Sequence, residues 1–192
     1  MMLKATDIVL SKILDLKKWQ NLQDSLAIVT KLAIITINYK GEPITEHSEL
    51  RPFCAKVRTD KKMSALCKKC DARAGLEAVL ANQPFIYLCH SNIIDLAIPI
   101  VIDDKYIGAI MAGQVKLSDA NEKFEVEQIL NQRFDEAKMS PEMKASYDTL
   151  PTLTYQEVEV ASQMLFDLCN YLVEEAVNKN LLLNLYEKSI TS

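Results

Sequence analysis

Cys54, Cys67, Cys70 and Cys89 follow the pattern Cys-x12-Cys-x2-Cys-x18-Cys, and His90 comes directly after the last of them. A free cysteine is ordinarily a small buried hydrophobe placed by core packing. Four of the chain's five cysteines gathered in one segment point instead to a shared task. Thiolates ligate soft metals and are the nucleophiles of redox chemistry. Cys67 and Cys70 are three apart in a segment of helical character, so both thiols leave one helix face. A return from that helix to the strand ending at Cys89, with Cys54 just upstream, would gather all four thiols. Zinc and iron–sulfur clusters both use such a set. Between Lys56 and Arg73 stand seven basic residues and two acidic ones, a surplus expected to favour thiolates. Incidental core cysteines beside a solvated helix face are the bland alternative.

The remaining candidates are weaker. His90 has four readings: a further metal ligand, a hydrogen-bond partner to a metal-bound sulfur, a polar contact for a small molecule, or a satisfied structural histidine. His47, in Glu46-His47-Ser48-Glu49, reads as an exposed loop residue, and Cys169 as a packed core residue on an apolar helical stripe. Asp103-Asp104-Lys105 reads as a solvent-facing turn. No Gly-x-Ser-x-Gly elbow, phosphate-cradling glycine loop or His-Glu-x-x-His occurs, so the sequence advertises no catalytic set.

Residues 6–18 and 19–30 read as helices, the first capped by Thr6 or Asp7. A β-branched strand over 32–37, a turn at Asn38–Gly41 and a short returning strand over 42–45 follow. The pattern is helical again from Leu50 to Asn82, with Ser64–Leu80 its clearest stretch. Segments 85–90, 93–102 and 106–117 read as three strands of an antiparallel meander. Helices are expected over Asp119–Phe134, Pro141–Tyr147 and from Thr154 to about Ser189. The last carries Val158, Ala161, Leu165, Leu168, Cys169, Leu172, Ala176 and Leu183 on one stripe. Before Ala176 that stripe suits packing on the chain's own sheet; beyond it, a homodimer seam.

The 192 residues are 49% apolar and 25% charged, the composition of a folded domain. A net charge of −4 gives no basic field for nucleic acid, and no apolar run is long enough to span a bilayer. With no secretory signal at the start, a cytoplasmic setting is expected, where clustered thiols mean metal or redox chemistry more often than disulfides.

Taken in order, the segment ending at Ile37 to Pro43, then Cys54, Cys67-Lys68-Lys69-Cys70-Asp71, Tyr87-Leu88-Cys89-His90, Ala97-Ile98-Pro99-Ile100 and Gly108 to Gln114 resemble the PocR sensory domain family from about Leu22 to Leu117. Where many members read Cys-His-Ala-Gly, this chain has Cys89-His90-Ser91-Asn92. The resemblance implies an α+β fold, a PAS-like antiparallel sheet flanked by helices with a long C-terminal helix. It implies an N-terminal helix over 1–20, a sensory domain over 21–150 and a signalling helix over 151–192. It also implies a non-enzymatic sensor of simple hydrocarbon derivatives such as 1,2-propanediol or glycerol, joined to an AraC-type DNA-binding domain. In such a pocket His90, Asp95 and Gln114 would supply polar contacts, and Phe53, Tyr87 and Met111 would line the wall. Two rivals stand beside it: a metal- or redox-sensing module with zinc or an iron–sulfur cluster at Cys54, Cys67, Cys70 and Cys89, and a small thiol enzyme. No helix-turn-helix is apparent, so direct nucleic-acid binding by this chain is not expected.

Overall fold

A computed structural model describes residues 10–119, 126–130 and 135–190. The chain forms helix α1 (Leu10–Ile13) and helix α2 (Leu16–Thr30), then strand β1 (Ala33–Asn38). Helices α3 (Pro52–Thr59) and α4 (Lys61–Ala81) lead into strands β2 (Phe85–Leu88), β3 (Ile94–Ile102) and β4 (Lys105–Leu117). Helix α5 (Pro141–Asp148), the two-residue strand β5 (Thr152–Leu153) and helix α6 (Tyr155–Ile190) complete it. The fold is α+β, as expected.

The sheet runs β1-β4-β3-β2 with antiparallel neighbours, and β5 adds a short parallel pairing to β4. Both faces are covered. Ile94, Leu96, Ile98, Ile100 and Ile102, every second residue of β3, pack with Leu14, Trp19, Ala27, Val158, Leu165, Cys169 and Val173. On the opposite face Ile35, Ile37, Tyr87, Ala97, Ala109 and Met111 meet Phe53, Val57, Cys70, Ala74, Ala78 and Tyr147. The period-2 alternation of the strands thus sends α2 and α6 to one side and α3, α4 and α5 to the other.

Local chemistry sets several boundaries differently from the sequence reading. Asp15 caps α2 by accepting from the Lys17 and Lys18 amides, so the helix break falls before Leu16; Thr6 and Asp7 lie outside the described residues. Asp60 does the same for Lys62 and Met63, dividing the expected 50–82 helix into α3 and α4. The returning segment after β1 pairs only at Ile37–Pro43 and Ile34–Ser48. The Thr36 amide turns to the Thr45 hydroxyl at 2.8 Å rather than to a carbonyl of the returning segment. Residues 126–130 of the expected 119–134 helix are not helical but bridge to β2 at Leu88–Gln128: the Leu88 amide donates to Glu127 O and the Ile129 amide to Leu88 O. The edge strand β2 needed those partners. The other residues of that segment lie outside the described ones, apart from Asp119. No helix among the described residues is long and apolar enough to cross a membrane.

Candidate functional site

The chamber lies on the α3–α4 face of the sheet and follows from one irregularity. Between β3 and β4 the register shifts at Ile94/Asp95, pairing Ile94 with Val115 and Asp95 with Gly113. Gln114 is the extra residue of this bulge and takes φ 62°, unusual for a side-chain-bearing residue. Gly113, at φ 145°, is required: a Cβ there would collide with the Asp95 backbone and carboxyl. The bulge turns the Gln114 amide onto Asp95 Oδ1 at 2.9 Å, and Gln114 Oε1 accepts from the Arg51 amide at 2.9 Å, tying β4 to the start of α3.

Two small adjoining cavities share Arg58, Asp71, Asp95 and Gln114. The first, about 20 Å³, is walled by Phe53, Cys54, Cys67, Cys70, Cys89 and His90. The second, about 10 Å³, is walled by His47, Tyr87 and Met111. Each is roughly the size of one water. All ten residues singled out in the sequence line one cavity or the other. The sequence reading missed Arg58, Asp71 and His47. Arg58 and Asp71 form an ion pair at 3.3 Å and were hidden in a run of charges that reads as a solvated face. His47 is half-buried rather than exposed, because the bridge at Ser48 pulls its loop onto β1.

The electrostatics differ from expectation at the thiols. Lys61, Lys62, Lys68 and Lys69 point to solvent, leaving Arg58 as the one cation of that run that lowers Cys54 and Cys67. Burial outweighs it. Cys67 is pushed up to about 11 and Cys70 to about 12, and Cys54 and Cys89 also rise through burial, reinforced by Asp95. These are neutral thiols. Two of them also have partners of their own: Cys67 Sγ lies 3.2 Å from His90 Nε2, and Cys89 Sγ accepts from the Ser91 amide at 3.4 Å. Among the described residues no group of three or more cysteine, histidine, aspartate or glutamate side chains is placed to hold a metal ion. The zinc or iron–sulfur site expected at Cys54, Cys67, Cys70 and Cys89 finds no support in this geometry. Cys169 is buried on α6 within the opposite core.

Asp95 is raised to about 7, by burial first and by the Asp71 carboxyl second. His47 is lowered to about 4 by burial and by the Arg58 charge, and His90 is lowered for the same two reasons. The chamber thus holds neutral imidazoles, neutral thiols and an Arg58–Asp71 pair. That is an environment for an uncharged molecule with few polar atoms. A far larger hollow, about 630 Å³, lies between the Asp103–Asp104 turn and α6; Asp103 and Asp104 there are exposed turn residues.

The family described as "Sensory domain found in PocR" matches residues 12–177. The chain is also similar to "Regulatory protein PocR" of Salmonella typhimurium, 35% identical over 155 residues. That stretch is 81% of this chain and 48% of the relative, so the chain spans about half the length of the curated protein it matches. No solved structure matches.

Proposed function

Since the chain belongs to the PocR sensory-domain family, we propose that it binds a short uncharged diol, such as 1,2-propanediol or glycerol, in the chamber between α3, α4 and the sheet. Its role is sensory and regulatory rather than catalytic. The signal passes through α6 to an AraC-type DNA-binding domain of the full-length protein, in the cytoplasm, and the apolar residues beyond Ala176 on α6 pair two copies.

The convergence of Asp95, Gln114 and His90 on a cavity that four thiols and Phe53 also wall, beside the Arg58–Asp71 pair, carries this reading. Hydroxyls find donors and acceptors there, and a hydrocarbon tail finds polarizable sulfur and an aromatic ring. The cavities hold roughly one water each, less than a three-carbon diol needs, so the ligand selects an arrangement in which α3 and the 43–49 loop stand further from the sheet. That requirement is what couples occupancy to conformation. β3 offers the route onward, since Asp95 faces the chamber while Ile94 and Leu96 pack in the core that holds α6. A metal- or redox-sensing role for the cysteines would need ionisable, convergent thiols. The raised pKa values argue against it.

A thermal-shift titration with 1,2-propanediol, 1,3-propanediol and glycerol tests the reading, with chemical analysis of the same mixtures. At least one diol is expected to raise the melting temperature with concentration and be recovered unchanged. A ligand of so few heavy atoms gains at most about −1.5 kcal/mol from each, so affinity no tighter than about micromolar is expected. No shift with any of the three, or conversion of one, contradicts it.

A further inference from the structure

Among the described residues four buried side-chain polar atoms have no hydrogen-bond partner: His47 Nε2, Arg51 Nε, Arg58 Nε and Tyr87 Oη. Buried polar groups are overwhelmingly paired, so each exception calls for a reason. Three of these four belong to residues walling the same cavity, the one bounded also by Asp71 and Met111. They come from separate elements: Tyr87 from β2, Arg58 from α3 and His47 from the loop after β1. Tyr87 is 0% exposed. Its hydroxyl lies near enough to Asp71 to lower that carboxyl's pKa, yet it is left without a hydrogen bond of its own.

Resting on the sensor reading above, we infer that Tyr87, His47 and Arg58 bind one ligand hydroxyl in the second cavity, and that the thiol-walled cavity takes the carbon chain, with a second hydroxyl at Asp95, Gln114 and His90. The Arg58 Nε–H can only donate, so the ligand atom must accept. The Tyr87 hydroxyl does either, and neutral His47 presents Nε2 as donor or acceptor according to its tautomer. An alcohol oxygen accepts from Arg58 and still has a proton to give. An ether or carbonyl oxygen lacks that proton. A carboxylate would stand beside Asp71 and Asp95 with only one cation, already paired, to offset it. An alcohol oxygen satisfies the three groups whichever way Tyr87 and His47 are oriented, so the class that fits is the short neutral alcohol of the sensor reading, polar at one end and apolar at the other. Leaving these atoms unpaired in the free protein costs stability, which the ligand's oxygen restores.

The test is a thermal-shift titration of the whole chain, its Tyr87→Phe variant and its His47→Leu variant, with 1,2-propanediol and with lactate, which has the same carbon skeleton and a carboxylate. Without ligand, Tyr87→Phe is expected to melt no lower than the parent, because the hydroxyl it loses has no partner. With the diol, each variant is expected to need at least about threefold more ligand for the same shift, the worth of one ordinary hydrogen bond. Lactate is expected to give no shift. If the parent responds and both variants respond at unchanged concentrations, the assignment is overturned while the sensor reading survives. A ligand-free Tyr87→Phe that melts well below the parent or fails to fold overturns it too, as does a lactate response equal to the diol's. A parent that responds to neither ligand takes both this inference and the sensor reading down.

Discussion

At Asp95 the raised pKa, about 7 against an ordinary 3.8, makes the folded state bind a proton that the unfolded chain has released. Its contribution to stability is therefore full below about pH 4 and lost as pH rises towards 7. A shift of that size corresponds to at most about 4 kcal/mol. His47 works oppositely: lowered to about 4, it stabilises the fold above pH 6.5 and loses that contribution as pH falls towards 4. The two partly cancel in the parent, so single variants separate them. Asp95→Asn is expected to gain stability relative to the parent as pH rises from 4 to 7, measured by urea denaturation at each pH. An unchanged difference across that range contradicts the assignment. At the cysteines, Cys67→Ala and Cys89→Ala are expected to leave bound zinc at the trace level of the parent, measured by elemental analysis. Stoichiometric zinc in the parent, lost in either variant, contradicts the reading of the thiols as a neutral wall.

At the scale of elements, the β3–β4 bulge holds the site. Gly113→Ala puts a Cβ into the Asp95 backbone at a φ that side-chain-bearing residues avoid, and is expected to cost roughly 2–4 kcal/mol in denaturant melts, with loss of the diol response. A change below about 0.5 kcal/mol contradicts that account. The sequence exposed the strands and the long helix through their periodicity, and the cysteine spacing and His90 through residue type. The bulge left only a faint mark: Gly113 and Gln114 interrupt the apolar run of β4, but a glycine beside one polar residue does not say where the register shifts. Arg58, Asp71 and His47 stayed hidden for a related reason. Charged residues on helices and loops read as solvated, and only the tertiary approach of α3 and α4 to the sheet desolvates them. The thiol pKa values ran opposite to the local charge count, because burial raises them while the lysines nearby in sequence face water.

Across the whole molecule, the chamber and α6 lie on opposite faces of one sheet, and α6 outruns the core. Leu165 is buried at 1% exposure, whereas Leu182 is 67% and Leu183 50% exposed. Leu165→Ala is expected to cost roughly 2–4 kcal/mol, and Leu183→Glu to leave monomer stability within about 0.5 kcal/mol while weakening the association of two copies. Sedimentation of parent and variant at matched concentrations checks this, and a parent that stays monomeric at high concentration contradicts the seam. A diol held between α3, α4 and the sheet is expected to be felt at α6. Amide hydrogen exchange with and without saturating 1,2-propanediol tests it most directly. The account predicts slower exchange in peptides spanning 45–72, 87–96 and 110–116, with a second change in α6. Unchanged exchange throughout, or protection confined to the hollow beside Asp103 and Asp104, would contradict it.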